Sequence, residues 1–280
     1  MRPHERFEEL TAAIRALRHA RMSGTLAALL PDGWTLGTTL LSLAAIFAAG
    51  VLRGLTGFGF SALAVSSMTL WLPPAQVVPL ILLLEVVASV RMLPAVWRDI
   101  HWDWMLWLIV GNLIGAPVGV ALLAWVDADV AKLAIALTVL FFGVLLMRDW
   151  RPPWRDGRVA RLGAGVVSGV FNGLAAIGGL SAMVVLLATA VAVATARATL
   201  VGLFFVIDLY ALALAALHGL VDRSLLVAAV LSLIPMLVGI DLGTRWFLRT
   251  DAPRFRRYVI WLLVALAALG LVAAARRLIS

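Results

Sequence analysis

Two carboxylates and one arginine stand where an apolar chain gives little reason for charge. Glu85 follows Leu82-Leu83-Leu84, and Asp208 comes shortly after Phe204-Phe205, each near the middle of its apolar stretch. An ionisable group inside a membrane segment is a functional-site candidate by default, so both are candidates for proton coupling. The alternative is a structural ion pair with Arg53, Arg91 or another helix. Arg53 immediately precedes Gly54 in a glycine-rich break. It could supply the cationic partner of an anion, or it could snorkel to the cytoplasmic interface.

The break around Arg53 reads Gly50-Val51-Leu52-Arg53-Gly54-Leu55-Thr56-Gly57-Phe58-Gly59-Phe60-Ser61. A second break runs from Gly165-Val166-Val167-Ser168-Gly169 through Asn172-Gly173 to Gly178-Gly179-Leu180-Ser181. Paired interruptions of hydrophobic segments in two halves of a chain point to a transporter's binding site. Helices beginning near Gly59 and Gly179 would aim unpaired N–H groups and the positive end of the macrodipole at an anion. Gly54, Gly57, Gly173 and Gly178 would let backbone approach a substrate, or else let helices pack closely. Thr56, Ser61, Asn172 and Ser181 could hold substrate oxygens or cap helix ends. With Arg53, these residues form the candidate substrate site.

The elements that carry these groups are membrane helices. Of 280 residues, 63% are hydrophobic and 14% charged, against about 25% charged in a soluble domain. The mean hydropathy is +1.04. Five apolar stretches, at about 36–54, 58–72, 76–97, 103–125 and 130–148, precede a basic linker at 149–158. Five follow it, at about 160–175, 179–193, 197–218, 223–246 and 256–276. The second stretch of each half falls short of the about 20 residues a spanning helix needs. It is either a steep short crossing or a helix that stops inside the bilayer. Trp34, Trp71, Trp97, Trp102, Trp125 and Trp246 flank apolar runs as interfacial anchors do.

The two halves, 36–148 and 159–277, match each other. Gly50 and Gly54 correspond to Gly165 and Gly169, Ser61-Ala62 to Ser181-Ala182, and Glu85 to Asp208. Asp103 and Asp222 open the next stretch of each half, which Pro117 and Pro235 interrupt, with Gly119 and Gly239 just after. An odd number of crossings per half makes such repeats inverted. The fold class is therefore an all-α polytopic membrane protein of two inverted repeats, with eight to ten transmembrane helices, some broken at glycines. Arginines in the linker and in the 245–257 loop place both on the cytoplasmic side. The Arg98–His101 loop is then inside, the Asp127–Asp129 loop outside, and both termini outside. Ten segments keep the two arginine-rich loops on one face; eight would not.

Residues 1–35 stand apart. Phe7, Leu10, Ile14 and Leu17 recur at helical spacing among arginines, as in an amphipathic helix on the membrane surface. Translation from Met22 is the alternative reading of this segment.

The glycine motifs resemble those of the TauE/SafE family of membrane permeases, over about residues 36–277. The second motif carries most of the likeness: Gly165-Val-Val-Ser-Gly169, Gly173, then Gly178-Gly179 leading into an apolar helix. Gly54, Gly57 and Gly59 extend it to the first half. Leu180 stands where the family usually has proline, and Phe58 and Phe60 flank Gly59 in place of a denser glycine cluster. The resemblance implies export of small anions (sulfite, organosulfonates or related carboxylates), coupled to the proton gradient, in a bacterial inner membrane. An anion channel and an integral membrane enzyme acting on lipid are the competing readings.

Other chemistry lacks its residues. The chain has no cysteine, and His4, His19, His101 and His218 show no metal-ligand spacing. No glycine-rich loop precedes Lys132, so there is no phosphate-cradling motif for direct ATP drive. No cofactor, metal or catalytic group is called for. The net charge of +8 lies in short loops and does not imply nucleic acid. The partners expected are a small anionic substrate, protons and the lipid bilayer. Asn112 and Asp241 also lie within apolar stretches, and Asp241 is spaced to pair with Arg245.

Overall fold

A computed structural model describes residues 34–148, 157–187 and 192–247, with isolated positions 261, 264 and 268. The N-terminal surface helix, most of the linker and nearly all of the last apolar stretch lie outside the described residues. The described chain forms nine α-helices. They are α1 (Leu36–Thr56), α2 (Phe60–Met68), α3 (Pro74–Val96), α4 (Trp102–Trp125), α5 (Ala128–Met147), α6 (Arg158–Ala175), α7 (Gly178–Leu187), α8 (Val193–Leu217) and α9 (Arg223–Phe247). Six of them, α1, α3, α4, α5, α8 and α9, are long and apolar enough to cross a membrane.

Local sequence sets the helix starts. A capping box between Thr35 and Thr38 opens α1, and Pro74 occupies the first turn of α3, where its missing N–H costs nothing. Asp222 precedes α9 and accepts from Leu225 N and Ser224 Oγ, both at 2.8 Å. The Leu225 amide, then the Ser224 hydroxyl, hold the Asp222 carboxyl below the usual carboxylate range. Asp103, in the first turn of α4, instead pairs with Arg161 of α6.

The short second stretches resolve as half-length helices. α2 has nine residues and α7 ten. At about 1.5 Å per residue they reach about 15 Å, half of a hydrocarbon core of about 30 Å. Trp71, just past α2, donates from Nε1 to Ser42 Oγ at 3.1 Å. So α1 and α2 form a hairpin whose open end lies toward the start of α1. Trp71 is thereby a structural donor, and Trp34 is buried (7% exposed), so neither is a lipid-facing anchor. Trp97, Trp102, Trp125 and Trp246 are exposed, as expected of anchors.

Two glycine seams organise the bundle. Gly111, Gly115 and Gly119 of α4 lie on the successive turns 162–166, 166–170 and 170–174 of α6. A Cβ on any of them would strike α6 backbone. The ascending order means that α4 and α6 run parallel. The same happens between α1 and α9. Gly239 meets the 47–51 turn of α1 and Gly243 the 51–55 turn, while Gly50 and Gly54 press on the backbone at Met236 and Ile240 of α9. Without Cβ atoms the backbones approach closely, which is how apolar helices gain packing in lipid. Each seam thus joins the first helix of one half to the fourth helix of the other. Between the seams α3 packs against α8, and α8 also against α4.

This register corrects one sequence match. Gly111 corresponds to Gly239 and Gly115 to Gly243 by the turns they contact. Gly119 then corresponds to Phe247 rather than Gly239, and Pro117 to Arg245 rather than Pro235. Proline and glycine recur at similar spacing in both helices, so sequence alone admits more than one register.

The helix ends sort into two groups. Trp34, Ala75, Gln76, Gly219, Asp222 and Leu225 line one cavity, so α1, α3 and α9 begin where α8 ends. At the other end the Asp103–Arg161 pair, and a hydrogen bond of 2.9 Å from His101 N to Thr199 Oγ1, gather the starts of α4, α6 and α8. The first break is therefore approached from one end and the second from the other.

The seams predict a graded response. Gly115→Ala forces backbone apart and should lower the melting temperature in detergent by the equivalent of about 1–3 kcal/mol. Gly163→Ala, on the exposed face of α6 with nothing within 4 Å, should be neutral or stabilising by up to about 1 kcal/mol. Equal melting of both variants would refute the close-approach account.

Candidate functional site

The first break is built by three residues after α1. Gly57 (φ 80°) ends the helix, its N–H donating to Arg53 O at 2.7 Å, and Gly59 (φ 85°) opens α2. Both lie in the left-handed region that favours glycine. Thr56 is the last residue of α1. A cation unnoticed in the sequence completes the turn. Arg197 of α8 lies with its side chain directly against Gly57, and its Nη2 donates to Gly54 O at 3.4 Å. Thr244 Oγ1 reaches the same carbonyl at 3.5 Å. Carbonyls in the last turn of a helix have no helical partner, and here α8 and α9 supply donors near that end.

Arg53 is wholly buried. It does not snorkel. Its Nη1 pairs with Glu85 Oε2 of α3, and its Nη2 donates to Ser89 Oγ at 2.9 Å. Glu85 Oε1 accepts from Ser61 Oγ at 2.5 Å. Ser61 is the second residue of α2, so the pair ties α1, α2 and α3 together at the break. Of the alternatives open for Glu85, the Arg53 pair is the one that forms. Arg91 pairs instead with Asp241 at 2.7 Å, and the Asp241–Arg245 pair suggested by spacing is absent among the described residues.

The second break is held by hydroxyls and an amide. Ala176 ends α6 with φ 55°, and its N–H donates to Asn172 O at 2.7 Å. Asn172 Oδ1 accepts from Gly178 N at 3.3 Å, and its Nδ2 donates to Asp208 Oδ1 of α8 at 2.9 Å. Ser168 and Ser181 both donate to Gly178 O, at 2.9 and 2.8 Å. Gly178 has no room for a Cβ, because Asn172 and the Ser168 carbonyl occupy it. Gly173 belongs to the α4–α6 seam, against Ala116 and Val120. Leu180 is buried, and its N–H donates to Ile177 O at 3.1 Å, a bond proline could not make.

One ring joins the two breaks. Phe204 of α8 fills the space a Cβ on Gly179 would need. The Arg53 guanidinium lies 5.3 Å from the centroid of the same ring, within range for a cation–π attraction. Four residues on from Phe204, Asp208 lies within electrostatic reach of Glu85 and Arg53. Arg197 is within reach of Arg53. The structure thus gathers Arg53, Ser61, Glu85, Asn172, Gly178, Gly179, Ser181 and Asp208 around α3 and α8, and adds Arg197, Ser89, Ser168 and Phe204. Asp208 Oδ2 is buried with no hydrogen-bond partner among the described residues, as are both polar side-chain atoms of Asn112. Among the described residues no group of histidines and acids could hold a metal ion.

The two breaks are not chemical copies. In the register fixed by Gly50 and Gly165, Ser168 stands where Arg53 stands, and Asn172 where Gly57 stands. One break carries a cation and the other a set of uncharged donors.

Residues 42–269 match the family model described as Sulfite exporter TauE/SafE. The match covers most of the chain, which belongs to that family and is a multi-pass membrane protein. No curated protein and no solved structure matches it.

The buried pair yields a stability prediction. Arg53→Ala leaves Glu85 without its cation and should cost about 3–5 kcal/mol. Arg53→Met combined with Glu85→Leu removes both charges and should melt close to the wild type in detergent. A double variant as unstable as the single one would show that the loss lies in packing rather than in the stranded charge.

Proposed function

We propose that this member of the TauE/SafE family is a secondary transporter that exports small anions such as sulfite, organosulfonates or related carboxylates, coupled to protons. The observation that carries the reading is Arg53, a cation wholly buried at a helix break and lying against a ring that also touches the other break. The planar, multi-donor guanidinium of a buried arginine suits the hydrogen-bond-accepting oxygens of an oxyanion. Gly57, Gly59, Gly178 and Gly179 shape the breaks around it. Ser61, Asn172 and Ser181, with Thr56 from the sequence pattern, are the uncharged donors assigned to substrate oxygens in this reading. Glu85 and Asp208 are the proton-binding groups.

The halves are inverted repeats in this proposal. Support comes from the exchange of helices across the two seams, α4 on α6 and α9 on α1, in matching register. Breaks entered from opposite ends of the bundle suit alternating access about a fixed midplane site. The end that gathers the starts of α4, α6 and α8 carries Arg98, Arg158 and Arg161 and is the cytoplasmic one.

Flux of sulfite and of organosulfonates into proteoliposomes is the direct test. The wild type should show saturable flux that responds to a proton ionophore, and the Arg53→Met, Glu85→Leu variant should show none. Ohmic single-channel currents would replace the transporter with a pore. Glu85→Gln and Asp208→Asn should each alter the dependence of flux on pH; an unchanged profile in both would remove them from coupling.

A further inference from the structure

Within the proposed transport reading, we infer that Glu85 is a built-in stand-in for the substrate, and that an anion binds Arg53 only as Glu85 takes up a proton. Glu85 occupies the position an anionic ligand of Arg53 must take. It pairs with Nη1 while Ser89 accepts from Nη2 and the Phe204 ring lies within cation–π range. Arg53 is wholly buried and Glu85 is 2% exposed. A second anion cannot join Arg53 while the carboxylate stays charged beside it, since two like charges in one dry site repel strongly.

Exchange at one cation fixes the number of protons. The groups that face Glu85 electrostatically are Arg53 on α1, and Asp208 on α8. Arg197, also on α8, faces Arg53. A monoanion that takes the place of the Glu85 carboxylate beside Arg53 leaves the charge there unchanged if one proton enters with it. The proton goes to Glu85, whose carboxylate competes for Arg53. Asp208 has its own donor in Asn172 and makes no direct ion pair among the described residues. Ser61, which donates to the charged Glu85, can instead accept from the protonated form, because a hydroxyl serves in either role. The proton and the anion therefore load together and leave together, an electroneutral co-transport that runs outward when the substrate's own gradient outweighs the inward proton gradient. The step is a proton transfer onto the Glu85 carboxylate and an exchange of counter-ions at Arg53, with no covalent bond to substrate.

The test uses the full chain in detergent and methanesulfonate, whose charge is constant across the pH range. Binding is followed by calorimetry in buffers of differing ionisation enthalpy, which counts protons. For the wild type, affinity should rise as pH falls, by up to about tenfold per unit, with one proton taken up per anion. Glu85→Gln should bind at least as tightly as the wild type at low pH, with no pH dependence and no proton uptake. Binding that needs Arg53 but does not vary with pH overturns the inference and leaves the transport reading standing. So does a folded Glu85→Gln protein that no longer binds, or one that keeps the wild-type slope. Absence of saturable binding for methanesulfonate and sulfite at every pH overturns both.

Discussion

A helix interrupted in hydrocarbon has peptide groups with no helical partner and no water to take them. That constraint explains where the polar side chains of this bundle are. Arg197 and Thr244 serve the Gly54 carbonyl, Asn172 serves the Gly178 amide, and Ser168 and Ser181 converge on the Gly178 carbonyl. Each break is consequently a rigid, preformed turn rather than a loose linker, and the charged groups between the breaks inherit fixed positions from it.

The glycine seams solve the complementary problem of bringing the helices there. Gly54 faces α9 while its neighbour Arg53 faces α3, because one residue turns an α-helix by about 100°. The same step separates Gly169, on the seam with α4, from Ser168, on the break. The first helix of each half thus has one face committed to close backbone contact and an adjacent face committed to chemistry. α3 and α8, which carry the carboxylates, are wedged between the seamed pairs and need no glycines of their own at the site.

Much of this was legible in the chain. Glycine breaks, their pairing and the two mid-segment carboxylates announce themselves, because glycine and charge are conspicuous in apolar sequence. The partners of the carboxylates were less so. Glu85 could have paired with Arg53 or Arg91, and spacing cannot choose between helices that meet only in three dimensions. Asn172 looked like a substrate donor beside the second break, yet it joins the Gly178 amide to Asp208. Arg197 was missed altogether. In Ala194-Thr195-Ala196-Arg197-Ala198 it reads as an interfacial arginine near a helix start, and only the missing side chain of Gly57 makes room for it. An arginine a few residues into a segment, facing a glycine break elsewhere in the chain, is the signal that could have found it. The register of α4 against α9 failed for the opposite reason, an excess of look-alike prolines and glycines.

The fit of the Phe204 ring into the notch at Gly179 has a consequence for how such a chain can diverge. The volume at that junction is shared between two helices, so the positions cannot drift independently. A side chain at 179 becomes tolerable only after the ring at 204 has shrunk, and a smaller residue at 204 also strips Arg53 of its aromatic neighbour. A change in the shape of one half would therefore alter the charge environment of the other. Homologues adapted to bulkier or slimmer anions should differ at these two positions as a set.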